Sequence, residues 1–382
     1  MTSTLAPHPT PVLGAEVTVG PPVRRLGQTV HVVRDVRSDG YFQVSPREAF
    51  VLTRLDGTRT FGDVERDYRG AFGKDLGDAS WQQLMGLLYA RRLLVPPGED
   101  AEAGRTAYEQ LRQQNQAGRV TPPRVTRVRV PLIDPGPVIG WLQGRAAWLL
   151  HPVTAAVATA LVLLMLLTVG LRLPLLWEGY VASWASAPVT VAVGVVVVLL
   201  SLLVHEFTHA LTCVRYGGRC REMGISWRFP LITIYTKVED IYLVPHRWQR
   251  VVVSLSGVLG GLVVLLPVFV TWLLVPAGHP VAETCVVVLV LGGMAQLVNL
   301  APVLGLDGQK ALSHALGVWD VADESRAYWT AVLRRRPAPV ADGAARWVVP
   351  VYGVVVVLLL SVVTLWTVWV GVTLLVTGEV PW

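Results

Sequence analysis

Along most of the second half of the chain, apolar residues follow one another without polar interruption. Five runs carry no charged side chain and are long enough to cross a bilayer as helix, which takes about 20 residues. They are Ala146–Leu171, Gly179–Val204, Val251–Ala282, Thr284–Leu306 and Trp347–Gly378. The last has 32 residues, too few for two crossings, and reads as one long or tilted helix. Glu283 falls in the tight connection between the third and fourth runs. The N-terminal part is patterned differently. Thr29–Val33 and Tyr41–Val44 read as short strands around a Ser38-Asp39-Gly40 turn. Ser45-Pro46-Arg47-Glu48 is a helix start, with Ser as cap, Pro at the first position and Glu three residues after the cap. That helix ends near Leu55-Asp56-Gly57. Two more are expected around Phe61–Phe72 and Ala79–Arg92, leading to Leu93-Leu94-Val95.

Charge sharpens this division. Only 16% of the 382 residues are charged, against about 25% in soluble domains. Residues 1–145 hold 19 of the 33 Lys/Arg and 15 of the 27 Asp/Glu. A wholly soluble enzyme and a disordered chain are both excluded. The start, MTSTLAPHPTPVLG, lacks the basic and apolar regions of a signal peptide. Three scattered cysteines, Cys213, Cys220 and Cys285, make no disulfide framework. Segment 205–250 carries seven Lys/Arg and segment 307–346 carries six, whereas the 172–178 loop on the opposite side has only Arg172. The positive-inside rule places both basic loops, and with them the N-terminal part, in the cytoplasm, with the C-terminus outside. The expected architecture is a polytopic helical membrane protein of about five spans preceded by a small α+β domain. Residues 1–21 are a flexible tail, 22–96 a compact domain, 97–140 a linker and juxtamembrane segment, and 141–382 the membrane domain.

Candidate chemistry lies at the end of the second run, in His205-Glu206-Phe207-Thr208-His209. His205 and His209 are four apart, so they share one helix face and can grip one metal ion. Glu206 stands beside them, placed to take a proton from a water that such an ion acidifies to a pKa of about 7. With 8 His and 13 Glu in 382 residues, chance yields this pattern in about one such sequence in 200. Ionisable groups at the end of an uncharged run are costly and mark function. Cys213 shares the face. However, ligands at i, i+4 and i+8 extend over about 12 Å of helix and cannot converge on one ion. A better third ligand closes the fourth run, in Asn299-Leu300-Ala301-Pro302-Val303-Leu304-Gly305-Leu306-Asp307-Gly308. Pro302, Gly305 and Gly308 should break the helix there, and broken backbone at membrane depth is tolerated where it lines a cavity. Asp307 is on the same side as His205. His, His, Asp and an open water position are the donor set of a catalytic zinc. His246 and His314 are loop residues on that side and weaker candidates. His151 reads as a packing residue of the first run.

These two motifs together resemble the site-2 protease family of membrane zinc metalloproteases. The resemblance implies Zn²⁺ held by His205, His209 and Asp307, Glu206 as general base, and Asn299 as a holder of the substrate backbone or the oxyanion. Ser254-Leu255-Ser256-Gly257 with Gly260-Gly261 stands where that family often has an Ala-Gly-Pro segment; the proline is missing. Small residues there let this span pack closely on the histidine helix. Met223–Val244 is β-branched and aromatic, broken by Pro230, and reads as a hairpin or surface strand pair whose edge could receive an extended substrate.

The N-terminal domain resembles the PqqD-like recognition domain of modified-peptide pathways, a small winged helix that holds a leader peptide. The match is carried by Tyr41-Phe42-Gln43-Val44-Ser45, the Leu55-Asp56-Gly57-Thr58-Arg59-Thr60 turn and Leu93-Leu94. Segment 22–96 has 12 Lys/Arg against 9 Asp/Glu and no basic recognition helix, which argues against nucleic acid as partner. Pro96–Gly118 reads as a polar linker, with a helix expected over Glu102–Gln116. Arg127–Pro135 leads into the membrane as it does in relatives that fuse the two domains. The resemblance therefore implies an enzyme of the bacterial inner membrane, in contact with lipid, that cleaves a ribosomally made precursor peptide bound by residues 22–96. Two alternatives stand beside it: regulated intramembrane proteolysis of an anchored signalling protein, and a non-enzymatic zinc-binding subunit for peptide export or immunity.

Overall fold

The computed structural model describes residues 10–14, 17–35, 40–90, 93–95, 128–145, 147–220, 222–228, 231–339 and 342–377. Two compact units result, one over residues 1–23 and 29–127 and the other over 24–28 and 128–382. The linker expected over Pro96–Gly118, including the Glu102–Gln116 helix, lies outside the described residues. So do Ser38 and Asp39 of the first hairpin turn, and Phe229-Pro230 of the second.

In the first unit, β1 (Val12–Leu13) precedes β2 (Val17–Arg25), β3 (Gln28–Asp35) and β4 (Gly40–Val44), and β2-β3-β4 is one sheet. β3 and β4 are antiparallel, with His31 opposite Val44 and Val33 opposite Phe42. The chain then enters α1 (Pro46–Leu52) through the expected capping box. The Glu48 N–H donates to Ser45 Oγ at 3.3 Å, and the Ser45 N–H donates to Glu48 Oε2 at 2.7 Å. This pairing satisfies two amides that the helix leaves without partners. A second capping box, Thr60 with Asp63, opens α2 (Phe61–Phe72), which ends on left-handed Gly73. α3 (Asp78–Ala90) follows, and β5 (Leu94–Val95) returns to pair with β1. Val33, Leu52, Phe61, Val64, Trp81 and Leu88 meet in the core. The flexible tail expected over 1–21 is corrected here. Among its described residues β1 and most of β2 are ordered strand, because Val12 and Leu13 find partners in Val95 and Leu94. Those partners lie some 80 residues away, beyond the reach of local pattern.

The second unit opens with β6 (Val128–Ile133) and α4 (Gly136–Arg145), so the described part of the juxtamembrane segment is structured. The helices that follow are α5 (Pro152–Leu171), α6 (Leu173–Ser186), α7 (Pro188–Arg215), α8 (Arg247–Leu274), α9 (Pro280–Val298), α10 (Asp307–Leu316), α11 (Val321–Leu333) and α12 (Ala345–Thr377). Five of them, α5, α7, α8, α9 and α12, are long and apolar enough to cross a membrane. Their bounds differ from the uncharged runs wherever proline sets the break. The second run divides at Ala187, because Pro188 offers no N–H and pushes the preceding residue out of helical geometry. The histidine helix therefore begins at 188 and continues to 215. The third run ends at Leu274, before Pro276. α9 begins at Pro280, capped by His279. Glu283 consequently sits in the first turn of α9, where its charge suits the helix dipole, and not in the connection. His151 likewise is not a packing residue: it caps α5, accepting the Val153 N–H at 3.3 Å.

α7, α8 and α9 pack pairwise on one another, and α5 joins them on α8. Met165, Val198, Leu262, Leu265 and Val288 form the shared core. The expected hairpin is present as β7 (Met223–Arg228) and β8 (Leu231–Thr236), and β6 adds a third strand in the order β6-β7-β8. At Gly224 a Cβ would lie 2.1 Å from the Val130 carbonyl, so only glycine lets β6 approach. Replacing Ser45 by Ala should remove about 1 kcal/mol from the first unit, seen as a lower unfolding midpoint and faster amide exchange in α1. An unchanged midpoint would show that the cap holds nothing.

Candidate metal centre

His205 and His209 sit one turn apart in the second half of α7, and both are buried. Their Nε2 atoms are 3.2 Å apart. Asp307 reaches the same point from the first residue of α10: its Oδ2 is 2.8 Å from His205 Nε2 and 2.9 Å from His209 Nε2. The loop between α9 and α10 makes this possible. α9 stops at Val298, and Leu304 (φ +56°) and Gly305 (φ +80°) take left-handed backbone that turns the chain back. Gly308 does not break the helix, as the sequence suggests, but lies inside α10. Its N–H donates to the Asn299 carbonyl at 2.8 Å, and a Cβ there would fall 1.9 Å from the Leu300 carbonyl. Only glycine permits the loop to close so tightly under Asp307.

The far sides of both imidazoles are anchored. His209 Nδ1 lies 2.7 Å from the Val253 carbonyl, which can only accept. His205 Nδ1 lies 2.7 Å from Gln296 Oε1, Gln296 Nε2 donates to Ser201 Oγ at 3.0 Å, and Ser201 Oγ donates to the Gly261 carbonyl at 3.0 Å. Because that chain ends on a carbonyl, each link has only one direction, and it leaves the proton of His205 on Nδ1. Both Nε2 atoms therefore turn lone pairs toward a carboxylate oxygen about 3 Å away. Three lone pairs so close repel unless a positive centre sits among them. The donor set fits a divalent cation. A four-coordinate zinc with bonds of about 2.0–2.2 Å keeps its ligand atoms about 3.3–3.5 Å apart, a few tenths of an ångström wider than found here.

Asp307 is held as an anion. Burial opposes its charge, but the two imidazoles and the Lys310 ammonium beside it outweigh burial and hold its carboxyl far below the usual range. Lys310 Nζ contacts the second oxygen, Oδ1, at 2.9 Å and leaves Oδ2 for the cluster. Glu206 is half-buried, and its carboxylate forms no hydrogen bond or ion pair among the described residues. Its backbone carbonyl accepts from Thr236 Oγ1 of β8 at 3.1 Å, so the open edge of the hairpin sheet lies beside it.

The small-residue face of α8 packs on α7 as expected. A Cβ on Gly257 would lie 2.3 Å from His209 Nε2, and one on Gly260 2.2 Å from Thr208 Oγ1. Ser256 Oγ reaches the Thr208 carbonyl at 3.4 Å. Asn299 Nδ2 donates to the Ala295 carbonyl of its own helix at 3.1 Å. Cys213 is fully buried and packs with Ile241 and Val253. His246 caps α8 without a side-chain bond. His314 lies in the last turn of α10 and not in a loop; it is buried but belongs to no metal-ligand group among the described residues. Burial pushes the Cys220 thiol up to about 11, so it stays protonated. Gln296, Ser201 and Lys310 escape the motif reading. A signal for Gln296 exists all the same: it is a fully buried amide in an otherwise apolar run, where such groups are costly and need partners.

Comparison with family models, with curated proteins and with solved structures gives no match for the chain. The geometry therefore carries the functional argument. Gln296→Leu should weaken metal binding about 10–100-fold, as loss of an outer-shell partner does, measured by competition with a chelating dye. Gly257→Val should abolish binding, because its side chain needs the volume that His209 occupies; a valine variant with full metal content would contradict the packing described.

Proposed function

We propose that this protein is a membrane-embedded zinc endopeptidase of the site-2 protease kind, and that it matures a ribosomally synthesised precursor peptide. The observation that carries the reading is the meeting of His205, His209 and Asp307, drawn from two separate helices, with a free carboxylate, Glu206, beside them. Two imidazoles and one carboxylate with room for a fourth ligand favour zinc in a catalytic setting over a closed structural site. Bound there, zinc supplies Lewis acidity that polarises a scissile carbonyl and brings water to a pKa of about 7.

The chain's own groups have separate tasks. Glu206 has no competing side-chain partner among the described residues, so it takes the proton of the attacking water and returns it to the leaving amine. Val253 and Gln296 hold the two imidazoles with Nε2 free, and Lys310 keeps Asp307 to one donor oxygen. Asn299 would reach the substrate only after its amide leaves Ala295. β8 has an unpaired edge among the described residues and is tied to Glu206 through Thr236. An extended peptide adding to that edge is led past the base. In this reading α5, α7, α8, α9 and α12 span the inner membrane of a bacterium, and the basic loops put the cluster near the cytoplasmic face. The first unit, a winged-helix recognition domain, captures the leader and raises the local concentration of substrate.

The test uses purified protein and the short peptides encoded beside its gene, with and without chelator, read by mass spectrometry. Expected is one discrete cleavage that chelator removes. Glu206→Gln should keep one zinc per chain and lose about 10²–10⁴-fold in rate. A fully active Glu206→Gln protein would overturn the mechanism.

A further inference from the structure

The second unit buries another group of polar atoms that the peptidase reading does not use. Arg250, in the first turn of α8, keeps only 3% of its surface exposed. Its Nε and Nη1 atoms are fully buried with no hydrogen-bond partner, and no ion pair engages it among the described residues. His314 on α10 is equally buried, and its Nδ1 also lacks a partner. α10 packs against α8, and the Arg250 charge is felt at His314: burial first, then Arg250 and Lys310, push that imidazole down to about 3. It is therefore neutral at physiological pH. Tyr242 closes a third side. Its ring meets that of His314 edge-on at 5.7 Å, and its hydroxyl donates to the Trp319 carbonyl at 3.3 Å.

The carboxylates of this region are already engaged. Asp307 serves the histidines and Lys310. Asp320, whose charge is felt at Tyr242, accepts from Gln309 Nε2 and from the Ala322 and Asp323 amides. Asp240 accepts from the Arg219 amide. A buried guanidinium without a counter-charge is among the costliest features a fold can carry, and a water would satisfy its N–H groups but not its charge. Unpaired buried donors call for a missing ion, and guanidinium is the side chain best matched to phosphate oxygens.

We propose that Arg250 and His314 form a phosphate-binding site, with the free N–H groups of Arg250 and the Nδ1–H tautomer of His314 donating to one phosphate group. Two sources share that chemistry. Free phosphate is one. The other is a lipid headgroup, which the neighbouring residues would place at hand: Trp248 is exposed and Arg247 stacks on its ring at 5.4 Å, an interfacial anchor at the end of a candidate span. The proposal is independent of peptide cleavage.

Full-length protein, delipidated in neutral detergent, is titrated at constant ionic strength with inorganic phosphate and, separately, with phosphatidylglycerol in mixed micelles. Tryptophan fluorescence gives the unfolding midpoint, and native mass spectrometry counts bound lipid. The wild type should gain several degrees with at least one of the two, and the one that acts identifies the source. Arg250→Gln and His314→Gln should weaken that response at least tenfold in apparent affinity, with Arg250→Lys intermediate. Zinc content reports that each variant is folded. If Arg250→Gln does not fold, Arg250→Lys and His314→Gln carry the comparison. No midpoint shift with either ligand, or an equal shift in wild type and variants, overturns the proposal.

Discussion

Two imidazole lone pairs and a carboxylate oxygen confined within about 3 Å of one another, away from water, set the terms for the second unit. Such a cluster repels itself until a positive centre enters it, and it cannot relax, because each imidazole is pinned from behind. Val253 holds His209, and the relay from Gln296 through Ser201 to Gly261 holds His205. The groups doing the pinning lie on α8 and α9, so the packing of three helices and the tautomers of two histidines are one problem. Gly257, Gly260 and Gly261 are the physical solution. Each leaves the space that a histidine, threonine or glutamine side chain of the facing helix fills.

The third ligand imposes a second constraint. To present Asp307, the chain has to leave one helix at Val298 and start another at Asp307. The loop meets this by bonding to itself and to the following helix. Asn299 accepts from Gly308, and the Gly305 N–H donates to Gln309 Oε1 at 2.9 Å. Gln309 continues to Asp320 and Tyr352, linking the loop to α11 and α12. The C-terminal helices thereby support the site, although none of their residues touches the cluster.

The same interior contains two polar centres with opposite needs. The His–His–Asp cluster carries lone pairs and lacks a cation. The Arg250–His314 group carries donors and lacks an anion. α10 contributes to both, Asp307 to the first and His314 to the second, and Lys310 influences both, contacting Asp307 directly and being felt at His314. Occupancy of one centre would change the field at the other.

Local pattern alone determined a good deal of this protein. Uncharged runs gave the five candidate spans, the Ser45 capping box and a hairpin or strand pair within 223–244 followed from residue order, and the spacing of His205, Glu206 and His209 placed two donors on one helix face. These features depend on neighbours within a few residues, which is the range over which periodicity and capping act. Proline decided where runs became helices, and that too was visible, at 188 and 280, to a reading that weighed it above hydropathy. Other features needed the folded chain. β1 requires a partner some 80 residues away, β6 requires the bare face of Gly224, and Gln296 becomes an anchor only because α9 crosses α7 at that level. The placement of Asp307 among the histidines, and the stranding of Arg250 without a counter-charge, are relations between distant segments. Only close packing, which excludes water and leaves each buried polar atom to find a partner or go without, could decide them.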